Sequence, residues 1–286
     1  MADMIRLALP KGRMQDGVFR LLGDAGVQVR LGRRNYRPTV SLPGVETKIL
    51  KPHNIVEMLH AGTRDVGFAG ADWVAEKGVE LTELLDTEMD PVRLVAAAPV
   101  DLLVDGALPK QHLVVASEYV NLTQAWIQRQ GLDARFVRSY GATEVFPPED
   151  ADCIVDNTAT GATLVANQLQ IVDELMRSST RMYAHPKTLD DPSRRDRIEH
   201  LAMLIRSVLE ARRRVMLEVN VPADRLDALI AVLPCMREPT VAKLAGDAGF
   251  AVKSAVLRKV LPTLIPEIKA CGGMDLVVSE LAQIVP

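Results

Sequence analysis

The chain has 286 residues, 48% hydrophobic and 25% charged, with a formal net charge of −3. That is enough apolar chain for a sizeable core and two or three domains, which excludes a disordered polymer, and the balance provides no basic field to recruit nucleic acid. No apolar run approaches the roughly 20 residues of a membrane span, and Met1 to Arg6 enters a strand pattern without a signal-peptide layout, so a cytoplasmic protein with no membrane partner is expected.

Short apolar segments alternate with helical patterns from the start. Ile5 to Leu9 reads as a strand, Met14 to Ala25 as a helix and Val27 to Leu31 as a further strand. Ile55 and Leu59 mark a helix before the compact strand Asp65-Val66-Gly67-Phe68-Ala69-Gly70, and another helix begins near Asp72. A second series follows Pro99, with strands at Leu113 to Ala116 and Ala134 to Val137 around a helix at Leu122 to Gln130. This rhythm predicts α/β construction on a largely parallel sheet.

Turn signals between Tyr183 and Pro192 precede a helix whose apolar face is Ile198, Leu201, Ala202, Ile205, Val208 and Leu209. Beyond Arg212-Arg213-Arg214 the pattern changes. Val215, Leu217, Val219 and Val221 alternate as a half-buried strand, and Pro222 opens a helix with the face Leu226, Leu229, Ile230 and Leu233. Strands at Thr240 to Leu244 and Phe250 to Val256, a helix from Val260 to Ala270 and a strand from Met274 to Val278 complete a ferredoxin-like β-α-β-β-α-β order. Pro266 predicts that the last helix starts late or bends. Three domains follow: a discontinuous α/β lobe of residues 1–95 and 183–211, a second α/β lobe of 96–182, and a small module of 212–286.

The stretch carrying the most chemistry is Asp152 to Leu164. Cys153, Ile154 and Val155 form an apolar strand, and Asp156 stands at its carboxyl end, where open α/β sheets place ligands. The loop Asn157-Thr158-Ala159-Thr160-Gly161-Ala162-Thr163 has small side chains, three hydroxyls and the free amides of a helix opening near Gly161. Together with the helix dipole these can hold a phosphomonoester, with the carboxylate suited to ribose hydroxyls. An ordinary capped helix would present the same pattern. Leu9-Pro10-Lys11-Gly12-Arg13 places two cations around a glycine after the first strand, a turn able to grip a polyphosphate and also common on solvated surfaces. Asp72 either caps a helix or meets a ligand, and Gly67 and Gly70 either permit dense packing or leave room for a purine.

Cys153, Cys235 and Cys271 are odd in number and widely spaced, as core thiols in a reducing compartment are. The five histidines lack metal-site spacing, so any metal is expected to arrive with a phosphate ligand.

The Thr-rich loop resembles the ribose-phosphate loop of phosphoribosyltransferases, and Gly161 to Asn167 resembles one family in particular, ATP phosphoribosyltransferase in its long form. Pro10-Lys11-Gly12-Arg13, Asp65 to Asp72, Gly141-Ala142-Thr143-Glu144-Val145 and the terminal module, including Glu238-Pro239-Thr240-Val241, are similar to further segments of that family, in order along nearly the whole chain. The resemblance implies two lobes of periplasmic-binding-protein type around a cleft and an ACT-like regulatory domain. It also implies condensation of ATP with phosphoribosyl pyrophosphate, the first step of histidine biosynthesis, with Mg2+ bridging substrate phosphates.

On that resemblance Asp156 and Glu144 are expected at ribose hydroxyls, and Asn157 to Thr163 at the 5-phosphate. Lys11 and Arg13 are expected at polyphosphate, and Lys11, Gly12, Arg13, Gly70 and Asp72 at ATP. It further implies a homo-oligomer assembling from dimers to hexamers and L-histidine bound at Asn220, Met236, Thr240 and Gly273. Departures are Lys51 and Asn54 in Lys51-Pro52-His53-Asn54-Ile55, where an Arg and an Asp are usual, Asn157 in place of an apolar residue, and Asn220 in place of an acidic one. Two other functions suit the same features: a two-lobed solute-binding protein without catalysis, and a silent regulatory paralogue.

Overall fold

The computed structural model describes residues 4–32, 36–236 and 238–285. The chain forms two compact units, one of residues 1–20 and 27–199 and one of residues 21–26 and 200–286. In chain order the elements that begin in the first unit are β1 (Ile5–Pro10), α1 (Met14–Asp24), β2 (Val29–Arg30), β3 (Thr39–Val40), β4 (Val45–Leu50), α2 (Pro52–His60), β5 (Val66–Gly70), α3 (Ala71–Lys77) and β6 (Thr82–Pro99). They continue with β7 (Leu113–Ser117), α4 (Val120–Gln130), β8 (Ala134–Arg138), β9 (Cys153–Thr158), α5 (Ala162–Ala166), β10 (Leu169–Ala184) and α6 (Pro192–Arg213). Both α1 and α6 cross from one unit to the other.

Eight strands form one sheet in the order β4-β1-β5-β10-β6-β9-β7-β8. Two parallel groups are present: β1 with β4 and β5, and β7 with β8 and β9. The sheet is nevertheless mixed, not largely parallel, because β10 is antiparallel to β5 and β6, and β6 is antiparallel to β9. The segments responsible, β6 and β10, have 18 and 16 residues and carry no readable strand signal.

The cause is physical. Leu94, Ala96 and Ala98 of β6 pack with Val115, Tyr119 and Trp126, while Val95 and Ala97 pack with Ile154, Leu164 and Leu169. A strand covered on both faces shows no alternation, and alanine has little strand preference. Along β10 several register shifts against β6 interrupt the period of two. The strand expected at Val27 to Leu31 shrinks to Val29–Arg30, paired with β3 in a separate two-stranded ribbon. Val27 is buried but Leu31 is half exposed, so burial does not extend along that segment.

The long pair sets where the parallel groups end. Gly70, last in β5, is paired with Thr180 of β10, while Thr158, last in β9, is paired with Arg93 of β6, which in turn faces Arg177 of β10. Two sets of carboxyl ends, running in opposite directions, thus meet beside the middle of β6 and β10.

The second unit adds β11 (Arg214–Val221), α7 (Leu226–Val232), β12 (Thr240–Lys243), β13 (Phe250–Leu257), α8 (Leu261–Ala270) and β14 (Met274–Glu280). They form an antiparallel sheet in the order β12-β13-β11-β14, the expected β-α-β-β-α-β module. Val215, Leu217, Val219 and Val221 enter a core with Leu229, Leu264 and Ile268. Burial of Leu264 and Ile268 on one face holds α8 together through Pro266, despite the lost backbone bond.

Gly67 tests how tightly β1 and β5 are packed. A Cβ there would lie 2.9 Å from Ala8 Cβ and from Ile55 Cγ2, and 3.0 Å from the Ala8 carbonyl oxygen. Gly67→Ala is expected to lower unfolding free energy by about 1–3 kcal/mol, read from the urea midpoint; an unchanged midpoint would mean that β1 yields freely.

Candidate active site

β9 outruns its neighbour on one side. Ser117 with Val155 ends its pairing to β7, whereas Asp156, Asn157 and Thr158 remain paired with Val95, Leu94 and Arg93 of β6. Asp156 to Thr158 therefore stand on an open edge, supported from behind. Strand alternation places Asp156 and Thr158 on the face of Ile154 and Leu164, and Asn157 on the face of Val155 and Tyr119.

The loop that follows is shaped by its own hydroxyls. Thr158 Oγ1 accepts from the Gly161 amide at 3.0 Å and Thr160 Oγ1 from the Ala162 amide at 3.3 Å, while Gly161 takes a φ of 82°, a left-handed value that glycine tolerates. Thr158 is buried and serves the turn; Ala159, Thr160, Ala162 and Thr163 are exposed. The expected helix is only the five residues of α5, too short for a substantial dipole. Anion binding here must rest on local amides and hydroxyls.

Arg13, Glu144, Asp156, Thr160 and Thr163 line a cleft of about 220 Å³. A second compartment of about 250 Å³ is lined by Lys11, Pro52, Asp72, Trp73, Asp90, Tyr119 and Ser178. Arg13 and Asn157 line both. The basic turn after β1 and the hydroxyl-rich loop after β9 are thus brought together, as neither could be from sequence separation alone. Gly12 adopts a φ of 86°, which gives the turn its shape. Lys11 Nζ donates to the Tyr36 hydroxyl at 3.0 Å and lies 4.9 Å from that ring, and this hydrogen bond lowers the phenol's pKa.

Burial pushes the Asp156 carboxyl up to about 6; a hydrogen bond from the Asn157 amide opposes the rise, and the charges of Glu144 and Glu118 add to it. Glu118 and Asp90 escaped the sequence reading. Glu118 follows β7 and comes within electrostatic range of Asp156 through strand pairing, and Asp90 sits at a φ of 48° in an irregularity of β6.

Asp72 is placed differently from an open ligand contact or a helix cap. It is 4% exposed; Tyr119 Oη donates to its Oδ2 at 2.6 Å and Ser178 Oγ to its Oδ1 at 2.7 Å. No side-chain cap is formed at α3. A Cβ on Gly70 would lie 2.1 Å from Asp72 Oδ1, so this glycine makes room for the carboxylate rather than for a ligand directly. Burial and the neighbouring Asp72 drive the Tyr119 phenol far above its usual range, keeping it a donor. Trp73 stacks on Tyr119 at 4.6 Å with an interplanar angle of 24°, and His53 meets Trp73 edge-on at 5.2 Å. Burial lowers the His53 pKa, favouring the neutral ring.

In the second unit, Met236 and Thr240 line a depression of about 280 Å³ with Met216, Glu238 and Lys253. Asn220 is elsewhere: it pairs with Met274 next to Gly273, and its Nδ2 donates to Asp275 Oδ2 at 3.1 Å. Thr240 lies on edge strand β12, Asn220 on inner strand β11, and Gly273 just before the opposite edge strand β14, so the four residues expected at one histidine site do not line one depression in one chain.

The model of the family described as ATP phosphoribosyltransferase matches residues 51–207, and that described as HisG, C-terminal domain, matches 211–283. The chain belongs to the ATP phosphoribosyltransferase family. It is 34% identical over 287 residues to ATP phosphoribosyltransferase of Pelotomaculum thermopropionicum, covering 99% of each chain, and 34% identical to that of Chlorobium phaeovibrioides over 94% of each. Among solved structures, the ATP phosphoribosyl transferase (HisG:HisZ) complex from Thermotoga maritima is similar with a TM-score of 0.63 and 27% identity, over 71% of this chain and 99% of that one. Membership identifies a pentosyltransferase, which decides against a solute-binding protein without catalysis.

The raised Asp156 pKa generates two linked expectations. The folded protein holds this proton more tightly than the unfolded chain, so rising pH removes stability between the usual carboxylate value and about 6. Asp156→Asn should therefore raise the melting temperature at neutral pH, by a free energy of order 1–3 kcal/mol, with the gain fading toward pH 4. The same variant should lose about 10²-fold in turnover, and wild-type activity should fall as pH drops through about 6. A variant with full activity would remove Asp156 from the site.

Proposed function

We propose that the chain condenses ATP with 5-phosphoribosyl 1-pyrophosphate to N1-(5-phosphoribosyl)-ATP and pyrophosphate, the first step of histidine biosynthesis. One observation carries the reading: the loop after β9 and the basic turn after β1 line adjoining compartments that share Arg13 and Asn157. One compartment has small hydroxylated residues and a carboxylate, as a ribose 5-phosphate requires. The other is lined by Trp73 and Lys11, an aromatic ring and a cation of the kind a purine nucleotide requires.

The reaction forms a bond from adenine N1 to ribose C1 and breaks the bond from C1 to the pyrophosphate oxygen. Adenine N1 supplies its own lone pair, so no protein nucleophile is needed; positive charge grows on the ribose ring as pyrophosphate leaves. Asp156, ionised above about pH 6, and Glu144 hold ribose hydroxyls and stabilise that charge, while Lys11 and Arg13 take the polyphosphates and Thr160 and Thr163 the 5-phosphate. Among the described residues no three His, Cys, Asp or Glu side chains are grouped to hold a metal. Mg2+ brought in with the substrates would supply neutralisation of leaving-group charge, and Asp156 and Glu144 are the carboxylates that would be available to it.

Residues 1–95 with 183–211 and residues 96–182 serve in this reading as catalytic lobes, and 212–286 as the regulatory module. Among the described residues β12 and β14 are the edges of the sheet, and Val241, Val277 and Val278 on them are exposed. Apposing the β12 edge of one copy to the β14 edge of another would reunite Met236 and Thr240 with Asn220 and Gly273, which supports a homo-oligomer that binds L-histidine between copies. The reading places the enzyme in the cytoplasm; among the described residues no helix is long and apolar enough to cross a membrane.

Purified protein with ATP, phosphoribosyl pyrophosphate and Mg2+ should form phosphoribosyl-ATP; a folded chain without turnover would favour the silent paralogue. Thr160→Val should weaken phosphoribosyl pyrophosphate binding by calorimetry and leave ATP binding comparatively intact. Equal weakening of both would contradict the loop's role. Turnover should also fall on titration with histidine, and indifference at millimolar histidine would end the regulatory reading.

A further inference from the structure

Consecutive residues of β9 are used differently. Asp156 lines the loop cleft only, whereas Asn157 lines both compartments, and strand alternation puts it on the face of Tyr119 and Trp126. That face is apolar, so an amide on it needs a partner. Asn157 Nδ2 donates to Tyr119 Oη at 3.0 Å. A phenol has one proton, so with an N–H donor on one side its own proton is directed at Asp72 Oδ2, 2.6 Å away. Ser178 Oγ donates to Asp72 Oδ1 at 2.7 Å and accepts from the Asp72 amide at 3.0 Å. Every proton in the chain from Asn157 to Ser178 then has one direction. The Tyr119 ring, itself buried, carries Trp73 on its face.

We propose that Asn157 is a positioning residue for the nucleotide compartment: through Tyr119 it holds Trp73 and Asp72 in register with the phosphate loop. The coupling between compartments runs through the peptide that joins Asp156 to Asn157. This rests on the reading of the two compartments as phosphoribosyl and ATP sites.

The test is a double-mutant cycle on the full chain, with KM for each substrate measured for wild type, Asn157→Leu, Tyr119→Phe and the pair. A wild-type chain without turnover overturns the site reading and this inference with it. In an active enzyme, Asn157→Leu should raise KM for ATP about tenfold and KM for phosphoribosyl pyrophosphate less than about twofold. In the Tyr119→Phe background the same change should have no further effect on KM for ATP. Additive effects, or equal rises in both KM values, overturn the proposal alone. Asn157→Asp guards against misfolding of the leucine variant, since it keeps the shape but replaces the donor with an acceptor. It should raise KM for ATP at least as far, and a wild-type KM would overturn the proposal.

Discussion

The antiparallel pairing of β6 with β10 is the constraint on which the first unit depends. Each strand carries one parallel group: β10 holds β5 on its outer side and β6 holds β9. Because the two strands are far longer than the short strands docked on them, the parallel groups attach at different heights and in opposite directions. Their carboxyl ends meet at mid-length. Without the long pair, the turn after β1 and the loop after β9 would belong to unrelated sheet ends, and Arg13 would have no reason to share a cleft with Asp156.

The electrostatics of the cleft follow from that meeting. Lys11 and Arg13 come from one parallel group and Asp156 and Glu144 from the other, so in the proposed reading an anionic substrate would face the two cations while its electron-poor ribose would face these two carboxylates. Burying Asp156, with Glu144 and Glu118 nearby, costs stability, visible in its pKa of about 6. Such a cost at an otherwise well-packed strand end is typical of a group retained for chemistry. Asp72 shows the opposite arrangement: two hydroxyl donors satisfy its buried oxygens, and Gly70 leaves the space it occupies.

The second unit is governed by its edges. Its inner face is filled by alternate residues of β11 and the two helices, but among the described residues β12 and β14 are the edges of the sheet and carry exposed valines. In a single copy Met236 and Thr240 line one depression, while Asn220 lies on the inner strand β11 and Gly273 precedes the opposite edge strand β14. Regulation by a ligand touching all four would therefore be a property of an assembly.

Local pattern sufficed wherever one face of an element is wet or a turn demands special residues. The alternation of Val215, Leu217, Val219 and Val221, the apolar exit of β9 at Asp156 and the glycine turn at Gly12 were all legible because each is dictated within a few residues. So were the segments that carry the family resemblance. The long strands were not, since burial on both faces erased the period of β6 and register shifts broke that of β10. Nor could sequence tell that Thr158 shapes the loop while Thr160 stays exposed, or that the helix after Gly161 would stop after five residues. The environments of Asp72, Asn157 and Glu118 were likewise decided only by tertiary structure, because a hydroxyl or a carboxylate acquires its role from partners that are remote in the chain and become neighbours when strands pair.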